Sequence, residues 1–129
     1  MLNVLVGIFV VLSSLVIFFQ LALLFGAAWG EFTLGGKWRG RLPAKARLIP
    51  LVSALLIGAF IFIVLKRSGV DAFRFQVDLG SWIWVAVGYC GLGIVANAVT
   101  PSHRERRIWL PIVSLMFCSS LGVALLTAN

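Results

Sequence analysis

The acid–base and nucleophilic groups of this chain are few and scattered. It has four carboxylates (Glu31, Asp71, Asp78 and Glu105), one histidine (His103) and two cysteines (Cys90 and Cys118). No Cys/His grouping has metal-ligand spacing and no Cys-x-x-Cys pair occurs, so no metal or other cofactor is expected. Gly30, Gly35, Gly36 and Gly40 do not fit the Gly-x-x-x-x-Gly-Lys-Ser/Thr spacing of a phosphate loop. No serine in the apolar segments has a histidine base nearby in sequence. An enzyme would have to take its acid or base from Glu31 or Glu105 and work on lipid headgroups, and the sequence leans away from catalysis. No Asp, Glu, Lys or Arg falls in the middle of an apolar run, which argues against a proton-driven carrier.

The remaining polar chemistry is amide, hydroxyl and loop charge. Gln20 and Ser13 are seven residues apart and share a helix face, where the amide is expected to seek an interhelical partner. Asn97 falls about one turn before Pro101, within reach of backbone that the proline frees or of the first loop. Ser102 followed by Glu105 reads as a capping box, the Ser oxygen on one N–H and the Glu reaching back to another. Glu31 is expected to pair with Arg47 or with an arginine of the third loop. With Ser114, these residues form a candidate polar cluster or pore lining: Gln20, Glu31, Arg47, Asn97, Ser102, Glu105 and Ser114.

What must hold them is set by composition. The 129 residues are 61% hydrophobic and 12% charged, about half the charged share of a soluble domain. A soluble fold of this size could not hide so much apolar surface. Four runs reach the ~20 apolar residues needed to cross a bilayer. They are continuously apolar, which excludes an alternating β-barrel pattern. The expected fold is an all-α membrane protein, a bundle of four transmembrane helices over about residues 2–29, 44–66, 81–100 and 103–128, in one domain spanning 1–129. The first run has no Lys or Arg before its apolar core and is read as a retained helix rather than a signal peptide. Pro43 suits the first turn of the second helix, and Pro50 is then expected to bend it by freeing the Ala46 carbonyl. Ala54 with Gly58, the series Ala86, Cys90, Gly93, Asn97, and the series Ser114, Cys118, Gly122 are small or polar stripes expected to face protein. The cysteines are read as two buried thiols rather than a disulfide.

The formal net charge of +7 lies in the loops. The first carries Lys37, Arg39, Arg41, Lys45 and Arg47, and the third carries Arg104, Arg106 and Arg107. The second carries Lys66, Arg67 and Arg74. The positive-inside rule puts the first and third loops in the cytoplasm and both termini outside. The cations orient helices and meet anionic lipid headgroups; nucleic acid is not an expected partner. The first loop interleaves Phe32, Leu34 and Trp38 with its charges and is expected to lie on the membrane surface. Val70, Phe73, Phe75 and Val77 suggest an amphipathic cap over the outer face.

LIPLVSALL at Leu48 to Leu56 and WLPIVSLMF at Trp109 to Phe117 share apolar-Pro-apolar-Val-Ser. A duplication would give two helical hairpins with equivalent proline bends facing each other. Two stretches, AWGEFTLGGKWRGRLPAKAR and NAVTPSHRERRIWLP, carry a further likeness. Trp29, Gly30, Gly35, Gly36, Leu42, Pro43 and Arg47, then Asn97, Ser102, Glu105, Arg106 and Pro111, resemble the pattern of a family of small, uncharacterised bacterial inner-membrane proteins. The resemblance implies a cytoplasmic-membrane location and points to the side where both motifs fall; it brings no activity. The leading expectation is a non-catalytic accessory or scaffold subunit, packing against itself as a homo-oligomer or within a larger membrane complex. A small-solute channel or facilitator is the alternative, and a headgroup-modifying enzyme the weaker one.

Overall fold

The computed structural model describes residues 1–70 and 79–128. The expected cap at Phe73, Phe75 and Val77 lies outside the described residues. Four α-helices follow in order: α1, Leu2–Leu24; α2, Leu48–Ser68; α3, Ile83–Val99; and α4, His103–Leu126. All four spans are long and apolar enough to cross a membrane, α3 together with the 3-10 turn Gly80–Trp82 that leads into it. The protein is a multi-pass helical membrane protein. At ~1.5 Å per residue, the 23 residues of α1 reach ~35 Å.

Helix α1 stops five residues before the expected end. Gly26 takes a φ of +97°, a turn that an L side chain would resist, and Phe25 and Ala27 close it on Leu21 and Ala22 carbonyls. Helix α2 begins later than expected. Pro43 opens a separate turn, in which the Ala46 N–H donates to the Pro43 carbonyl at 2.9 Å. Pro50 therefore sits in the first turn of α2, not inside it, and the Ala46 carbonyl is taken by the Ile49 N–H at 3.2 Å. Its missing donor costs nothing there, and the expected bend has no cause. Pro111 lies within α4. The two prolines thus sit at different helix positions, which removes the expected pair of equivalent bends.

α1 packs on α2, α3 packs on α4, and α1 packs on α4; α2 touches α3 and α4 far less. The hairpins are there, joined through α1 and α4. Two glycines set the closest approaches. A Cβ on Gly93 would lie 2.8 Å from Val113 of α4, and one on Gly122 would lie 2.7 Å from Leu5 of α1. The α3 stripe faces protein as expected, with Ala86 and Cys90 buried. The α4 stripe does not act as one face: Gly122 meets α1 while Cys118 is exposed. Gly58 has no atom within 4 Å of a Cβ, so the Ala54–Gly58 pair is not a tight contact.

The core is concentrated in the half of the bundle away from the first and third loops. Phe9, Val64, Ile83, Ala86, Val123 and Ala124 are sealed there. Arg67 clasps that end: its guanidinium donates to Thr127 Oγ1 at 2.7 Å, the Thr127 carbonyl at 2.9 Å and the Gly80 carbonyl at 2.7 Å. It ties the end of α2 to the end of α4 and the start of the third span, satisfying carbonyls that a helix end leaves open.

Candidate functional site: a cavity above a polar plate

The first loop does not lie flat. It folds into 3-10 turns, Gly30–Phe32 and Leu34–Gly36, and packs under the bundle. Leu42 and Ala46 bury against Leu23 of α1, with Leu34 and Trp38 beside them. Burying these side chains against the helices removes the apolar surface that would otherwise dip into lipid. Leu34, Gly35 and Gly36 follow one another at φ of +51°, +70° and +73°. Side chains pay about 1–2 kcal/mol in that region, so two of the three positions are glycine.

That turn brings the first loop against the third. A Cβ on Gly36 would come within 3.2 Å of Ser102 Cβ. The Gly35 N–H donates to Glu105 Oε2 at 2.9 Å, and the Thr100 hydroxyl donates to the same oxygen at 2.7 Å. The Ser102 hydroxyl accepts from the Glu105 N–H at 3.2 Å and donates to the Glu31 carbonyl at 3.0 Å. Arg104 bonds the Glu31 carboxylate at 2.6 Å, Arg106 donates to the Thr100 carbonyl at 2.7 Å, and the Trp109 indole N–H donates to the Phe32 carbonyl at 2.8 Å. The result is a polar plate across one end of the bundle. Of the expected capping box, only the serine half forms; Glu105 turns to the Gly35 N–H instead of back to Ser102. Of the two partners expected for Glu31, Arg104 is the one found.

Above the plate is a cavity of about 370 Å³, lined by all four helices and bounded below by Thr33, Glu105 and Trp109. Its polar end holds Gln20, Asn97 and Glu105; its walls rise through Gly93, Val113 and Met116 to Cys90 and Tyr89. Ile57 is its α2 wall, and Leu92 and Ala96, both exposed, form its α3 rim. The cavity is therefore open sideways where α2 and α3 are least in contact. Beyond it, the Phe60 and Tyr89 rings meet at 5.0 Å and join those helices, and the packed core begins.

Three of the seven candidate residues, Gln20, Asn97 and Glu105, meet in this cavity, and Glu31 and Ser102 belong to the plate. Arg47 is elsewhere, donating to the Leu42 carbonyl at 3.0 Å, and Ser114 bonds the Leu110 carbonyl of its own helix at 2.6 Å. Asn97 does not reach the loops: its amide N–H donates to the Gly93 carbonyl at 2.7 Å, leaving its oxygen free for the cavity. Gln20, expected to tie helices together, has no hydrogen-bond partner among the described residues and borders the cavity instead. Thr100 and Gly35, the two donors to Glu105, are not among the candidate site residues that the sequence offers; a hydroxyl just before a proline turn and a doubled glycine are the available signals. Among the described residues no group of His, Cys, Asp and Glu could hold a metal. Comparison with protein-family models, curated proteins and solved structures gives no match.

Proposed function

We propose that the protein is a non-catalytic accessory or scaffold subunit of a bacterial cytoplasmic membrane, working by binding within the bilayer. The carrying observation is the closed far half of the bundle. Phe9, Val64, Ile83 and Val123 are fully buried there, so the cavity's polar end has no continuation to the other side. Glu31, Arg104 and one oxygen of Glu105 are engaged in holding the loops together, which supports a structural use over an acid–base one. The basic plate lies on the cytoplasmic side and both termini lie outside, supported by eight of the eleven Lys and Arg falling in the first and third loops. The resemblance to the family of small inner-membrane proteins described above fits the same reading. In-membrane cross-linking followed by copurification is the test: a stoichiometric membrane partner, or a second copy of the chain, is expected. Recovery of the monomer alone would reject the reading. The facilitator reading keeps one observation in its favour, since the cavity does extend past Asn97; apart from the Tyr89 hydroxyl and the Cys90 thiol its lining there is apolar.

A further inference from the structure

We propose that the cavity holds one phospholipid with a primary-ammonium headgroup, the ammonium at Glu105, Gln20 and Asn97 and one acyl chain in the recess towards Tyr89. The zoning of the cavity gives the orientation. Its carboxylate and its amides are confined to the plate end, while Ile57, Val113, Met116, Cys90 and Tyr89 line the rest. Its side opening faces the lipid phase, so a bilayer lipid enters without crossing water. A volume of about 370 Å³ is near the lower end of the ~300–1,000 Å³ range of ligand sites, room for the ammonium end and part of one chain, with the rest of the lipid outside the rim.

The headgroup follows from the acceptors. Glu105 has no salt bridge among the described residues, and one of its oxygens carries both its accepted bonds. The Asn97 oxygen is left over once its amide N–H has bonded Gly93. The Gln20 amide has no hydrogen-bond partner among the described residues. A carboxylate and two amide oxygens are acceptors, and an –NH₃⁺ group brings three donors and a positive charge. A quaternary ammonium head has no N–H to give, and a glycerol head has no cation.

The inference deepens the binding role proposed above and fails separately from it: copurification reports the partner, retained lipid reports the cavity. Protein is reconstituted in nanodiscs of equal phosphatidylethanolamine, phosphatidylcholine and phosphatidylglycerol, released into detergent, and its retained lipid is read by native mass spectrometry. Phosphatidylethanolamine should be retained roughly tenfold over phosphatidylcholine, the ratio one charge-assisted hydrogen bond gives. Ala96→Phe, at the open rim, should abolish retention, and Leu92→Trp does the same work if that variant fails to fold. Gln20→Leu should narrow the preference. Equal retention of the three lipids, dominance of phosphatidylglycerol, or undiminished retention in both rim variants would overturn the site.

Discussion

Gly30→Ala is the sharpest structural perturbation available in the loop plate. The Gly30 N–H donates to the Gly40 carbonyl at 2.8 Å, closing the ten-residue excursion that carries Glu31 and Gly35. A Cβ there would overlap the Trp38 carbonyl oxygen and lie 2.6 Å from the Gly40 carbonyl oxygen. Both obstacles are backbone, so no side-chain rotation relieves them. Overpacking of this kind costs about 1–3 kcal/mol, and losing the hydrogen bond adds about 1 kcal/mol. The expected loss is roughly 2–4 kcal/mol. Gly40→Ala is the matched control. Gly40 has a φ of +85° with nothing within 4 Å of a Cβ, so only the left-handed penalty of about 1–2 kcal/mol applies. Unfolding of purified protein in mixed micelles, followed by tryptophan fluorescence, measures both; Trp29, Trp38 and Trp109 all sit around this loop. Gly30→Ala should be the more damaging. A wild-type midpoint for Gly30→Ala, or the reverse order, would refute the close approach of residues 30 and 40.

Arg67→Ala should destabilise the protein by about 1.5–3 kcal/mol in the same assay, because it removes charged hydrogen bonds to Thr127 and Gly80; a silent variant would mean the clasp is not formed. Ser13→Ala should be neutral or slightly stabilising, since the Ser13 hydroxyl is fully buried without a partner among the described residues and an unpaired buried polar group is a cost; a clear loss of stability would contradict its placement. Glu31→Gln should cost under ~1 kcal/mol, because the Arg104 partner is 67% exposed and water screens the pair. A lipid-soluble maleimide should label the exposed Cys118 in folded protein faster than Cys90, which is buried at the cavity wall; equal labelling would contradict the orientation of α3 and α4.

The membrane architecture was legible because it depends on one coarse property, twenty-residue apolar runs separated by basic loops. Helix ends were harder. Gly26 ends α1 by its backbone conformation, and the apolar residues after it still look like helix. Pro50 is expected to bend α2 from inside and instead falls in its first turn, since a turn from Pro43 to Arg47 looks the same in sequence as a first helical turn. Local pairings were legible: Ser102 does cap α4. Pairings across the chain were only half so. Glu105 had a local destination in sequence, but the left-handed run at Leu34 to Gly36 delivers a backbone N–H from 70 residues away, and that wins. Arg67 was read as a topology signal, although its guanidinium is spent on carbonyls that only the folded bundle assembles.

Proteoliposome flux tests the closed bundle most directly. Purified protein reconstituted in sealed vesicles should conduct ions and small solutes no faster than protein-free vesicles, because the packed half from Phe9 to Val123 leaves no route past the cavity. Flux above that background, reduced by Gln20→Ala or Asn97→Ala, would contradict it.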